Sequence, residues 1–318
     1  MTSLSLFPRA LALSAYLAVS GSRMTLCLAI SCSALFACRS PPLLSLCLTV
    51  LPLEAGMGQA PHIAANDASE RSLPGLSPAA TASLAALTGP HPYIAAKGEA
   101  SPAYAKAKAA MDASTRWSVK LTNGKTLEYR IIGINHDDLA DGSGKAGLTF
   151  WAVSNAMGEQ NMNSAMSNAG GWEKSRLRQK MNSGEVWNLL PPDFQAKVET
   201  VKKLTNNIGC DKNAAVTATS DKLFLLSNSE IVETPWNGWS DYAWLSKEGI
   251  QYEAFTGRVK NNHSDNFLFQ VLSSDNWFER SISPTSSQSF LAVDGYYGNP
   301  STSYNAANSS PLYPGFCF

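Results

Sequence analysis

The segment Trp117–Ile131, WSVKLTNGKTLEYRI, decides the fold of this chain. Trp117, Val119 and Leu121 alternate with polar residues, Asn123-Gly124 is the preferred dipeptide of a two-residue type I′ turn, and Leu127, Tyr129 and Ile131 alternate on the way back. A period of two on both sides of a turn signal predicts a β-hairpin with one buried face. Toward the C-terminus a polar loop, 137–147, leads into LTFWAV at 148–153, either a buried strand or the entry to a helix, which periodicity alone leaves open. Trp172, Leu177, Arg178 and Met181 predict a short helix just after Gly170-Gly171. Leu190, Phe194, Val198 and Val201 predict a second one behind Pro191-Pro192. Residues 222–226 read as a buried strand, and Ser227 with Glu230 has capping-box spacing. From Pro235 onward the abundance of Trp, Gly, Asn and Ser indicates long ordered loops, with short strands at 267–272, 289–293 and 315–318. The expected class is α+β, with the globular domain at residues 115–318.

Toward the N-terminus the composition changes. Residues 55–114 are rich in Ala, Ser, Pro and Gly, with too few large hydrophobes to offset their own ordering entropy. They read as a linker, in which Ser101-Pro102 opens a short helix through Ala110. Residues 1–54 carry three short apolar runs separated by Arg23 and Arg39, each too short for a membrane span. A charged start before an apolar run resembles a secretory signal, and Leu35-Phe36-Ala37-Cys38 loosely resembles a lipoprotein cleavage box. The chain is therefore expected to be secreted or anchored at a cell surface, with this segment membrane-associated; an internal start at Met24, Met57 or Met111 is the competing reading.

The chain holds 25 acidic and 25 basic residues, so no long-range field draws in nucleic acid. Eight Trp and ten Tyr combine apolar faces with polar handles and favour recognition. Outside the N-terminal segment the thiols are Cys210 and Cys317, either bridged across a long loop or separately buried.

Three motifs, GGWEKSRLR at 170–178, DKLFLLS at 221–227 and WFERS at 277–281, together with the closing PGFCF at 314–318, resemble the bacterial family numbered 6273 among the domains of unknown function. More distantly the chain is similar to the C-type-lectin-like fold of formylglycine-generating enzymes and of the variable proteins of diversity-generating retroelements. That resemblance implies a mixed domain with paired N- and C-terminal strands, two helices and long ordered loops. It also implies a variable, ligand-contacting segment just before the last strand.

The stretch YYGNPSTSYNAANSS at 296–310 fits that position and has the composition of antibody-like binding loops, Tyr for rigid contact area and Ser, Gly and Asn for adaptable hydrogen bonds. A polar connecting loop has the same composition. The candidate ligand-binding residues are Tyr296, Tyr297, Asn299, Ser301, Ser303, Tyr304, Asn305 and Asn308, with Trp277 and Arg280 beside them; Trp236, Trp239 and Trp244 line the same face or plug the core. Trp172, Ser175 and Arg178 read as a structural anchor between helix and sheet. Asp137, Asp138 and Asp141 fail the calcium-loop pattern at Leu139 and read as a solvated turn. The four histidines lack metal-ligand spacing, and no nucleophile elbow, phosphate loop or dinucleotide fingerprint is present. No cofactor and no metal are expected. The reading is a non-enzymatic module that binds a glycan or protein, at a cell surface or on a phage particle. The alternatives are a structural or assembly domain, and a thiol-dependent oxidase if Cys210 and Cys317 meet.

Overall fold

The computed structural model describes residues 12–20, 23–31, 92–260 and 275–318. The chain divides into two units, Met1–Ser72 and Leu73–Phe318. In the first, β1 (Ala12–Ser20) and β2 (Arg23–Ser31) form an antiparallel hairpin from Ala12↔Ser31 to Ser20↔Arg23. No helix among the described residues is long and apolar enough to cross a membrane.

The second unit is α+β. Its main sheet begins with the expected hairpin, β3 (Trp117–Lys120) and β4 (Thr126–Ile134), in the register Trp117↔Tyr129 to Lys120↔Thr126. The turn differs from expectation. Only Gly124 has positive φ, at 81°, the Gly124 N–H donates to the Leu121 carbonyl at 3.0 Å, and the Asn123 side chain accepts from the Lys125 N–H at 3.0 Å. The side-chain bond keeps Asn123 in ordinary backbone space, and Gly124 alone supplies the left-handed residue that ends a type I turn.

β5 (Leu148–Ala152) settles the 148–153 ambiguity as a strand, and it is buried along its whole length. β14 (Gly315–Cys317) lies antiparallel between β5 and β9 (Leu223–Phe224), so the sheet order is β3-β4-β5-β14-β9. The expected pairing of the opening and closing strands is thereby corrected: the two share a sheet, but β4 and β5 separate β3 from β14. A strand apolar on both faces belongs inside a sheet, and that is where β5 sits. Tyr129, Phe150, Phe194, Phe316 and Phe318 fill one face with ring centroids 5.1–5.8 Å apart, and burial pushes the Tyr129 hydroxyl up to about 12.

Two helices precede the hairpin, α1 (Pro92–Lys97) and α2 (Pro102–Asp112); the Ser101 hydroxyl caps α2 by accepting from the Ala103 N–H at 3.2 Å. Ile94, Ala107 and Met111 are buried in the common core, and the Asn135 amide donates to the Ile94 carbonyl at 2.9 Å. Residues 92–114 are thus part of the domain rather than linker, because these few large apolar side chains fall on the faces turned to the sheet.

The GGWEKSRLR motif forms two short helices, α3 (Gly171–Lys174) and α4 (Arg176–Asn182), divided at Ser175. The helix expected over Leu190–Val201 is only the single turn α5 (Pro192–Gln195); Val201 opens β7 (Val201–Asn206), which pairs with β8 (Val216–Asp221). The strand expected at 222–226 contracts to β9, followed by α6 (Asn228–Ile231), whose capping box of Ser227 and Glu230 is complete. β10 (Trp277–Ile282), β11 (Ser289–Val293) and β12 (Thr302–Asn305) make a three-stranded sheet, and β6 (Glu159–Gln160) pairs with β13 (Ser310–Pro311). The strand expected at 267–272 and the linker up to residue 91 lie outside the described residues.

Candidate functional site

The Tyr/Asn/Ser stretch winds around β12. The 294–301 turn enters that strand and the 306–309 turn leaves it, so the candidates run from one end of a four-residue strand, through Ser303, Tyr304 and Asn305, to the other, roughly 13 Å away at the usual rise. At the entering end the Asp294 side chain accepts from the N–H groups of Tyr296, at 2.9 Å, and Tyr297, at 2.8 Å. The Gly298 N–H donates to the Asp294 carbonyl at 2.7 Å, and the Asp294 N–H donates to the Asn299 carbonyl at 2.8 Å. This clamp presents two phenol rings to solvent: Tyr296 is 69% and Tyr297 67% exposed, packed edge to face with centroids 4.5 Å apart.

The other candidates contribute unequally. Ser303 and Asn308 are exposed, and the Ser303 hydroxyl pairs with that of Ser283 at 2.7 Å. Asn299, Ser301, Tyr304 and Asn305 are half-buried. The side chains of Asn299 and Asn305 accept from the Ser301 and Ala307 N–H groups and shape the turns, while Tyr304 packs on Phe278 at 5.2 Å. Trp277 and Arg280 are corrected as surface contacts, since both are buried: Trp277 packs on Trp151 at 5.3 Å, and Arg280 has no exposed surface at all. Trp239 and Trp244 are core residues, and Trp236 remains partly exposed, edge-on to Trp239.

Arg280 is the centre of a buried ionic network. Glu230 accepts from both of its terminal nitrogens, at 2.9 Å from Nη2, and also from Lys203 Nζ at 3.0 Å and the Ser227 N–H at 3.0 Å. One side chain thereby serves as capping residue and counter-ion. Lys203 continues to Asp137 and, at 2.8 Å, to the Tyr252 hydroxyl, with Phe224 beneath its ammonium at 3.8 Å from the ring centroid. Burial by itself would raise the Asp137 and Glu230 carboxyls, but Lys203 beside the first, and Arg280 then Lys203 beside the second, hold both below the usual carboxylate range. Asp137 is accordingly corrected from a solvated turn to a buried ion-pair partner. Glu248 and Glu279 lack such a cation: burial carries Glu248 up to about 7, despite hydrogen bonds from Ser281 and the Asn206 N–H, and pushes Glu279 well above its ordinary value. Burial shifts both carboxyls toward the protonated form.

A cleft of about 180 Å³ touches this network from outside, lined among others by His136, Asp138, Lys145, Lys202 and Ile250. His136 lies over Tyr252, with ring centroids 4.1 Å apart, and its ring nitrogens meet Glu253 and the Ile250 carbonyl at 3.2 and 3.1 Å. Lys203 finds its partners wholly within the protein, which makes the network a brace between β7, α6 and β10. Nothing in the sequence reading found it. The available signal was Lys203 itself, a charge at the inward position of the alternating strand Val201-Lys202-Lys203-Leu204-Thr205.

The two thiols are free and have different neighbours. The Cys210 thiol donates to the Ser283 carbonyl at 3.4 Å, whereas Cys317 sits 3.5 Å from Thr149 Oγ1 and from Asp137 Oδ2, where burial and the nearby carboxylate push its thiol well above the ordinary value. Among the described residues, no group of three or more His, Cys, Asp or Glu side chains is placed to hold a metal ion.

The anchor read from Trp172, Ser175 and Arg178 closes on Asp221. Its carboxylate accepts from Trp172 Nε1 at 3.0 Å, Arg178 Nε at 2.6 Å and Thr219 Oγ1 at 2.6 Å, and Ser175 caps α4 by accepting from the Arg178 N–H at 3.1 Å. The GGWEKSRLR and DKLFLLS motifs are therefore two halves of one joint. No curated protein matches the chain. No solved structure matches it either. The family model described as "Domain of unknown function (DUF6273)" matches residues 123–312, which take in both halves of that joint and the whole ionic brace. The chain belongs to this family.

Proposed function

We propose that the domain is a non-enzymatic recognition module, displayed at a cell surface or on a phage particle, that binds a glycan or protein through the aromatic tip Tyr296-Tyr297. The observation that carries this reading is the exposure of two adjacent Tyr rings on a turn clamped by Asp294. Exposed aromatics on a rigid turn gain contact area without the entropy cost of ordering a mobile loop. A purely structural module would draw those rings inward, and a thiol oxidase would need Cys210 and Cys317 at one place.

The test is binding of the full chain to glycan and protein arrays, compared with Tyr296→Ala/Tyr297→Ala. Truncation of a central aromatic anchor costs about 2 kcal/mol, roughly thirtyfold in affinity. The array signal should be lost in the variant while its melting temperature is unchanged, because neither ring is part of the core. Equal binding by both proteins would retire the aromatic tip as the contact surface.

A further inference from the structure

At the other end of β12 lies a different kind of surface. The Asn163 N–H donates to the Ala306 carbonyl at 2.9 Å, joining the 306–309 turn to the loop 163–169. Between that loop and the start of α4 is a depression of about 290 Å³ lined by Asn163, Ser164, Ser167, Lys174, Arg176 and Gln179, with two alanines completing the wall. No acidic residue lines it. Lys174 and Arg176 make no hydrogen bond or ion pair through their side chains among the described residues. The carboxylate closest in sequence beyond α4, Glu185, is taken by Lys180 at 2.8 Å, and this partner first, with Arg176 as a smaller influence, holds it below the ordinary range.

The depression is held in shape from behind. The Asn163 amide donates to the Ser167 carbonyl at 2.8 Å and its side-chain oxygen accepts from the Arg176 N–H at 3.0 Å, tying the loop to the helix start. Asn168, fully packed beneath, donates to the carbonyls of Ser286 and Ser289, both at 2.8 Å. Lys174 is exposed, but its stem crosses Gly170, where a Cβ would come within 2.7 Å of Lys174 Cδ. Gly170 has φ 78°, so the glycine both makes the turn and leaves room for the lysine.

We propose that this depression binds an oxyanion, a carboxylate, sulfate or phosphate, between the Lys174 ammonium and the Arg176 guanidinium, with the Ser164 hydroxyl and the Gln179 amide as further donors. Two cations at a depression that no carboxylate lines, with neutral hydrogen-bond donors around them, are the chemistry that charge-assisted oxyanion binding requires. The site is distinct from the aromatic tip, and its occupancy does not depend on that tip.

Titration calorimetry of the full chain with sodium sulfate and sodium phosphate, at constant ionic strength, tests the site. Saturable binding with a Kd on the order of 1 mM is expected. Lys174→Gln/Arg176→Gln should weaken it about tenfold or more, whereas Lys120→Gln/Lys125→Gln, which removes as much charge elsewhere, should leave it unchanged. Gly170→Ala should weaken it without removing any charge, by displacing the lysine stem. Galacturonate, glucose 6-sulfate and glucose 6-phosphate then rank the bearer of the oxyanion. Absence of saturation, or equal losses in the two lysine-containing pairs, overturns the proposal. Tyr296→Ala/Tyr297→Ala should bind the ions normally, so a failed array experiment and a failed ion site are separable.

Discussion

Asp221 has no exposed side-chain surface and holds Trp172, Arg178 and Thr219 at once. Asp221→Ala leaves the Trp172 indole N–H and the Arg178 Nε–H without a partner and removes the shorter of the two bonds of Thr219 Oγ1, and should cost about 3–5 kcal/mol, measured as a shift in the urea midpoint at constant slope. A loss under about 1 kcal/mol would show that the joint is ornamental. The helix side of this joint was legible in sequence, since a Trp at a helix start with Arg six residues on reads as an anchor. Asp221 was not, because its role depends on where β8 ends relative to α4, a tertiary register that no local pattern encodes. Arg280 failed for a related reason. In WFERSI every residue is buried, and an arginine in such a strand looks like a surface contact until its counter-ion Glu230, fifty residues away, is placed.

At the scale of elements, the hairpin at 117–131, the strand at 289–293 and the capping box at 227–230 were read correctly because each is fixed by its own residues. The helix read across 190–201 was not. After one turn the chain is taken over by backbone pairing, Glu199 with Cys317 and Val201 with Leu139, and these bonds outweigh a weak 3.6-residue pattern. Residues 92–114 were misread in the opposite sense, as linker, because Ile94 and Met111 are isolated in an alanine-rich stretch. Full burial of side chains of this size stabilises by about 1.5–3 kcal/mol each. A chain beginning at Thr115 should therefore melt well below one beginning at His91, and Met111→Ala alone should cost about 2–5 kcal/mol. Equal melting temperatures would return these helices to the linker.

At the scale of the molecule, stability should depend on pH from both sides. Asp137 and Glu230 are held below their unfolded values, so their contribution is complete above about pH 4.5 and is lost as the pH falls through their folded values. Glu248, raised to about 7, contributes in the reverse sense: fully present below about pH 4.5, diminishing as the unfolded chain ionises, and lost as the pH passes 7. Glu279 acts in the same direction, as does His136, where burial is outweighed by Glu253 and Asp137. The melting temperature should then be higher near pH 5 than near pH 8, falling away again in strong acid. Glu248→Gln should flatten the decline between pH 5 and 8. A profile that rises steadily from pH 5 to 8 would contradict the protonated state of these carboxyls.

The insertion of β14 between β5 and β9 has a consequence for synthesis. The ribosome delivers β5 and β9 well before the strand that separates them, so until β14 emerges each exposes a bare apolar edge with nothing to zip onto. A nascent polypeptide stalled short of Gly315 should be a strong client for chaperones and prone to coalesce with its neighbours. Emergence of Gly315–Cys317 would act as the clasp that shuts the sheet.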